Sequence, residues 1–128
     1  MRALLDTHTL LWWILEDPAL TRTAQQTITE ASNAMLVSAA SAWELAIKYQ
    51  QGKLPKAGDL VSNFSSEVER EGFQLLPISA DHGIRAGLLP GPHKDPFDRM
   101  LIAQSQAENL PIISNEVVFE HYGVRRLW

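Results

Sequence analysis

Five carboxylates in this chain are of the right type and in the right company to do chemistry: Asp6, Glu44, Asp95, Asp98 and Glu116. Asp6 follows the apolar run Ala3-Leu4-Leu5, and Glu116 follows Pro111-Ile112-Ile113-Ser114. Glu44 interrupts the small, apolar stretch Ala39-Ala40-Ser41-Ala42-Trp43, while Asp95 and Asp98 open a helix-like segment at residues 96–107. A carboxylate set against apolar sequence is costly unless something pairs with it. A shared divalent cation would pair with all of them at once. Oxygen-only donors favour hard ions, so magnesium or manganese is expected rather than zinc. Such an ion acidifies bound water, and two ions about 4 Å apart stabilise both the attacking and the leaving oxygen of a phosphodiester. The expected chemistry is phosphodiester hydrolysis.

Each position also has a plainer explanation. Asp6 and Asp95 are good helix caps, and Asp98 in a first turn complements the helix dipole. Glu44 has Lys48 four residues on as an ion-pair partner, and Glu116 would serve to start a short helix. His8 follows the strand-end Asp6 and would line the same cleft or hydrogen-bond beside it. His93 and His121 have no metal-motif spacing, and His82 is expected at the surface. Thr7, Thr9 and Ser114 are candidate donors for orienting carboxylates or binding phosphate. Trp12, Trp13 and Trp43 fall at helical positions, where packing in a core or interface is expected before base stacking.

The elements that must position these groups are readable from periodicity and caps. Residues 2–5 form a buried strand, followed by a helix that Thr7 or Thr9 caps and Asp17-Pro18 ends. Thr21 or Thr23 starts a second helix to about residue 32. Residues 34–37 are strand-like, Ser38 caps a helix to about residue 51, and Gly52 stops it. One helix is expected over residues 59–71, a strand over 73–78 and a helix over 79–88. Pro90-Gly91-Pro92 is a loop, and Asp95-Pro96 opens the next helix. Residues 112–113 form the fourth strand, 117–122 a short helix and 124–127 a fifth strand. Strands alternating with helices imply an α/β fold: a three-layer α/β/α arrangement around a parallel sheet of four to five strands. Ligands bind such sheets beyond the carboxyl ends of the strands. Asp6 and Glu116 follow strands at that edge, and Asp98 and Glu44 are expected in the first turns of surrounding helices.

Composition sets the outer bounds. At 128 residues the chain is expected to form one domain spanning residues 1–128, with 45% hydrophobic and 20% charged residues. No run of about 20 apolar residues is present, so no membrane span is expected. Asp6 and His8 interrupt the apolar N-terminal stretch, which is therefore read as part of the fold rather than as a signal peptide. The absence of cysteine removes disulfides, thiolate ligands and cysteine nucleophiles, and is compatible with a reducing cytoplasm. A net charge of −4 argues against binding nucleic acid through a broad basic surface. It does not argue against a nuclease, because bound cations would invert the field at an acidic cleft.

Four segments carry a resemblance over nearly the whole chain: LLDTHTLLWW at residues 4–13, SAASAWELAIKYQQGKL at 38–54, HKDPFDRMLIAQS at 93–105 and ISNEVVFEHYGV at 113–124. In this order the chain resembles PIN domains, most closely VapC-type toxins of prokaryotic toxin–antitoxin pairs. The resemblance implies a cytoplasmic, Mg²⁺- or Mn²⁺-dependent endoribonuclease on a PIN-like parallel-sheet fold. Asp6, Glu44 and Asp98 match the three acidic positions of the family core, and Asp95 an additional one found with the DPFDR sequence. Glu116 stands where the family usually has Asp, with Ser114 at the usual Thr or Ser position. The longer side chain moves that carboxylate by about one C–C bond. Asp6, Asp98, Glu44 and Glu116 are thus the implied metal ligands, with Asp95 supporting them in catalysis. The family further implies a homodimer and a cognate VapB-type antitoxin whose Arg reaches the carboxylates. Trp12, Trp13, Trp43 or Leu15 would suit a groove for the antitoxin's apolar helix.

Two other readings are open at this level. A phosphatase using Asp6 as nucleophile would want a second Asp two residues on, where this chain has His8. A PIN domain weakened in catalysis, acting as a binding or regulatory partner within a toxin–antitoxin complex, takes its support from Glu116.

Overall fold

In a computed structural model describing residues 1–128, five strands form a single parallel sheet. They are β1 (Arg2–Leu5), β2 (Ala34–Ser38), β3 (Gln74–Leu76), β4 (Ile112–Ile113) and β5 (Arg126–Leu127), in spatial order β3-β2-β1-β4-β5. The chain runs outward from β1 through β2 to β3, then returns to the other side of β1 for β4 and β5. The strand order therefore reverses between β1 and β4, the place where open parallel sheets form their binding crevice.

The period-two alternation of the strands divides the core. Ala3 and Leu5 of β1 join Met35, Val37 and Ile113 on one face. Leu4 joins Leu36, Leu76 and Ile112 on the other. In-register pairing of Leu4 with Leu36 and Ile112 makes those rows continuous across the sheet. The first face is covered by α1 (Thr7–Ile14), α2 (Arg22–Thr29), α3 (Ala39–Gln50), α4 (Gly58–Ser62) and α5 (Phe64–Arg70), which supply Leu10, Ile28, Leu45, Leu60 and Val68. The second face receives Leu101 and Ile102 from α7 (Pro96–Glu108) and Phe119 from α8 (Val118–His121). The remaining helix, α6 (Ala80–Leu88), packs against α7. The expected three-layer α/β/α arrangement is the one observed, with the full five strands. Burying each large aliphatic side chain contributes roughly 1.5–3 kcal/mol, so both faces stabilise the sheet.

Several boundaries differ from the sequence expectations for local reasons. Asp6, not Thr7 or Thr9, caps α1. The helix expected over residues 59–71 is two helices, because Asn63 leaves helical geometry at φ −131° and ψ 34°. Its side-chain amide donates to the carbonyl of Asp59 at 3.2 Å, the local competition for backbone that makes Asn a poor helix-interior residue. The second helix ends at Thr29, short of residue 32, where Glu30 turns extended and its carboxylate accepts from the Ser32 amide at 3.3 Å. Gly52 does end α3, with the left-handed φ of 75° that favours glycine.

Candidate active site

Asp6 sits at the carboxyl end of β1, directly beside the carboxyl end of β4, because Leu5 pairs with Ile113. Its backbone amide donates to the Ile113 carbonyl at 3.1 Å, extending the pairing by one residue. One carboxylate oxygen, Oδ1, accepts from the Thr7 amide at 2.8 Å and caps α1. The other, Oδ2, accepts from the Ser114 hydroxyl at 2.6 Å. That hydroxyl oxygen in turn accepts from the Glu116 amide at 3.0 Å. Ser114, fully buried after β4, thus orients Asp6 and anchors the backbone of Glu116 in a single residue. The expectation that Ser114 would orient carboxylates matches this geometry.

The other carboxylates approach from α3 and α7. Asp95 caps α7, its Oδ1 accepting from the amides of Phe97 and Asp98 at 2.9 and 3.1 Å. Asp98 in the first turn bonds His93 through Oδ2 at 2.9 Å. Glu44 lies in the second turn of α3 rather than the first, because Ser38 caps that helix and Ala39 begins it. The extra turn buries Glu44 to 3% exposure, where Lys48 forms its ion pair from the next turn of the same helix. The bond is a partly buried contact, not the surface pair that the spacing alone allows.

Mutual charge ties these groups together. Burial pushes the Asp6 carboxyl up to about 7; the Ser114 bond opposes this, and the charges of Asp98 and Glu116 add to it. Burial likewise lifts Asp98 to about 6, against the His93 bond and with the charges of Asp95, Glu116 and Glu44. Burial works against the Lys48 ammonium, yet the bond to Glu44 and the charges of Glu44, Asp95 and Asp98 outweigh it and raise its pKa. Through these pairings, all five carboxylates singled out from the sequence act on one another at the edge where the strand order reverses. Their side chains do not converge into a ready-made metal cage: no three acidic or histidine groups are close enough to hold an ion as they stand. Ser114, His93 and Lys48 instead satisfy Asp6, Asp98 and Glu44 one by one. The donor set fits a hard divalent cation even so, being carboxylate oxygen with burial and repulsion that an ion would relieve.

Other candidates fall elsewhere. Thr7 bonds Ser41 at 2.9 Å and Thr9 donates to the Ile113 carbonyl at 2.8 Å, so the first hydroxyl ties α1 to α3 and the second ties α1 to β4, and neither meets a carboxylate. His8 is half-buried against Trp12, with ring centroids 5.8 Å apart. His82, expected at the surface, is only 5% exposed: it forms a capping box with Ser79 at the start of α6, and its Nε2 meets Glu108 at 3.3 Å. The spacing Ser79-x-x-His82 was the available signal. Trp12 and Trp13 pack partly buried against the core, as expected, but Trp43 is 58% exposed with its ring edge-on to Phe97 at 4.8 Å. His93 was the residue sequence reasoning missed, because nothing in its spacing shows that a loop folds back onto Asp98.

Comparison with known proteins agrees with this architecture. In the solved structure of VapBC2 from Rickettsia felis bound to a DNA fragment from their promoter, one chain superposes with TM-score 0.71 at 18% identity, covering 100% of both chains. A chain of VapBC-1 from nontypeable Haemophilus influenzae gives TM-score 0.63 at 15% identity, over 98% of this chain and 96% of that one. At such identities the likeness is one of fold. Ribonuclease VapC16 of Mycobacterium tuberculosis is 42% identical over 55 residues, spanning 43% of this chain and 38% of that relative's length. The sequence pattern of the PIN domain matches residues 3–124, nearly the whole chain. The chain belongs to the PIN domain family.

Proposed function

We infer that this protein is a VapC-type endoribonuclease toxin, dependent on Mg²⁺ or Mn²⁺ and restrained by a VapB-type antitoxin. The observation that carries the reading is the placement of buried Asp6, held by Ser114, where the strand order reverses and beside the charges of Asp98 and Glu116. Perturbed, mutually coupled carboxylates in a sheet-edge crevice are the mark of a site built to work on something charged. The ribonuclease name of a relative adds the reaction class. Asp6, Glu44, Asp98 and Glu116 would hold the metal, with Asp95 fixing the first turn that carries Asp98. When bound, a divalent ion supplies charge neutralisation for phosphate oxygens and makes water a better nucleophile. The chain's own residues bind and orient: Ser114 aims Asp6, His93 aims Asp98, and Lys48 pairs with Glu44.

The partner reading rests on a different region. Trp12, Trp13 and Leu20 line a cavity of about 360 Å³ between α1 and α2, and Leu15 beside it is exposed. An apolar antitoxin helix fits that region in the helix-in-groove mode, and the two similar structures are complexes whose names pair VapB with VapC. A cytoplasmic homodimer completes the reading.

Incubation of purified protein with total RNA in Mg²⁺ or Mn²⁺, with cleavage mapped by end sequencing, tests the activity. Asp6→Asn and Asp98→Asn should each abolish cleavage while the fold persists. Wild-type cleavage by either variant sinks the assignment. The competing reading is a PIN domain weakened in catalysis that serves as a binding partner, favoured by Glu116 and by carboxylates that stand apart rather than caged. Calorimetric titration with Mn²⁺ separates the two, since a weakened centre gives no binding that depends on Asp6.

A further inference from the structure

Next to the acidic centre lies a cavity that the proposed hydrolysis leaves without a role. It measures about 490 Å³ and runs between the loop after α6 and the short helix α8. The loop contributes Pro90, Gly91, Pro92 and His93, and the far side contributes His121 and Tyr122. His93 belongs to both places: the imidazole that lines the cavity also bonds Asp98 at 2.9 Å. The cavity therefore begins one side chain away from the acidic centre.

The loop that forms it is fixed from two directions. Arg99 of α7 donates to the carbonyls of Ala86, Leu89 and His93 at 2.9, 2.7 and 3.0 Å, pinning the segment to the helix that carries Asp98. At Gly91, φ is +90° and an added Cβ would come 2.9 Å from the Tyr122 hydroxyl, so a side chain there meets both strain and collision. A preformed cavity follows. Its lining includes the flat rings of His93, His121 and Tyr122, the kind of surface on which unpaired bases stack. Imidazole nitrogens add hydrogen-bonding groups for a base edge. An adjoining cavity of about 430 Å³ shares Pro90, His121 and Tyr122 and adds Arg85. A guanidinium there suits the phosphate of a following nucleotide.

We propose that the cavity between residues 90–93 and α8 binds a nucleobase of single-stranded RNA flanking the scissile phosphate. The substrate class rests on the ribonuclease reading above, and the location on the geometry. A volume of about 490 Å³ lies within the roughly 300–1,000 Å³ of ordinary small-ligand pockets and leaves room for one base with its sugar.

Binding, measured separately from cleavage, tests the proposal. Fluorescence anisotropy on the full chain in Mg²⁺ compares a labelled 2′-O-methyl octaribonucleotide of randomised sequence with an abasic octamer of equal length and charge. The wild type is expected to bind the base-bearing octamer about fivefold tighter or more, the lower end of what stacking one base supplies. His121→Ala removes an exposed ring from the lining, and Val118→Trp fills the cavity from another lining position. Each should reduce the preference below about twofold, and His121→Phe, which keeps a flat ring, should restore it. An undiminished preference in both His121→Ala and Val118→Trp overturns the proposal, as does a wild type that prefers no base. Base preference without RNA cleavage would count against the ribonuclease reading alone, and cleavage without base preference against the cavity alone.

Discussion

Asp6 and Asp98 face the same crevice but are held by different kinds of partner. Asp6 is satisfied by neutral donors built into the sheet edge, the Ser114 hydroxyl and the Thr7 amide. Asp98 is met by the side chain of His93, from a loop, and Glu44 by the side chain of Lys48. Neutral donors orient a carboxylate without cancelling its charge, so burial dominates and Asp6 rises to about 7. The partners of Asp98 and Glu44 are themselves half-buried side chains, His93 from a loop and Lys48 from the next helical turn. One half of the site is thus a fixed anchor, and the other is a set of carboxylates with exchangeable partners. A centre of this kind holds its position through the sheet and adapts through the helices.

The largest expected effect breaks the anchor. Asp6→Asn keeps one acceptor oxygen, enough for Ser114 or the Thr7 amide but not both, and removes the buried charge, so RNA cleavage should fall to background. Thermal stability above pH 7 should rise, because ionising a carboxyl moved from 3.8 to about 7 costs on the order of 4 kcal/mol in the folded chain. Loss of activity with unchanged or lower melting temperature at pH 8 would contradict the account of Asp6 as a buried charge held only by neutral donors.

Next in size is a direct contest between the two kinds of partner. Ser114→Ala strips a hydroxyl that serves both Asp6 and the Glu116 amide, whereas His93→Ala strips one bond to Asp98. Residues that orient metal ligands are typically worth about 10–100-fold in metal affinity. Calorimetry with Mn²⁺ should put Ser114→Ala near the upper end of that range and His93→Ala near the lower. The reverse order would mean that the loop, not the sheet, sets the geometry of the centre.

That contrast also explains what could be read from the sequence. Groups positioned by local rules are legible: Asp95 and Ser38 as caps, Gly52 as a stop, and Asp6 at the carboxyl end of a strand. The apolar runs Ala3-Leu4-Leu5 and Met35-Leu36-Val37, in a chain where strands alternate with helices, imply a sheet covered on both faces. What escaped depended on chain segments folding back. His93 reaches Asp98 only because Arg99 ties the loop to α7 through three carbonyls, and no periodicity encodes that. Ser38 is legible as the cap of α3, and counting turns from it puts Glu44 in the second turn, where the neighbouring helices bury it. His82 is expected at the surface, and is instead buried where it forms a capping box with Ser79.

Protonation extends the comparison to pH. In metal-free protein, both folded carboxyls lie above their ordinary value of 3.8, Asp98 at about 6 and Asp6 at about 7. The folded state then binds more protons than the unfolded chain between these limits, so stability falls as pH rises. The contribution is complete below about pH 4, falls from there as the unfolded chain ionises, ceases to fall for Asp98 near pH 6 and is gone once pH passes about 7. Urea unfolding in EDTA from pH 4 to 8 should show this decline, and Asp6→Asn should remove its upper part. Saturating Mg²⁺ should flatten the curve, since an ion bound only to the folded chain stabilises the charged carboxylates.

The smallest effect belongs to Lys48. Its pair with Glu44 is partly exposed, with 27% of the lysine side chain accessible, so Lys48→Met should cost less than about 1 kcal/mol of stability. Its ammonium also faces the charges of Asp95 and Asp98. Removing it frees Glu44 and deepens the negative potential of the crevice, so Mn²⁺ should bind a few times more tightly even as the fold weakens slightly. A loss of metal affinity in Lys48→Met would show instead that the ion pair holds Glu44 in its working rotamer. The adaptable half of the site would then be as fixed as the anchor, and the distinction between the two would disappear.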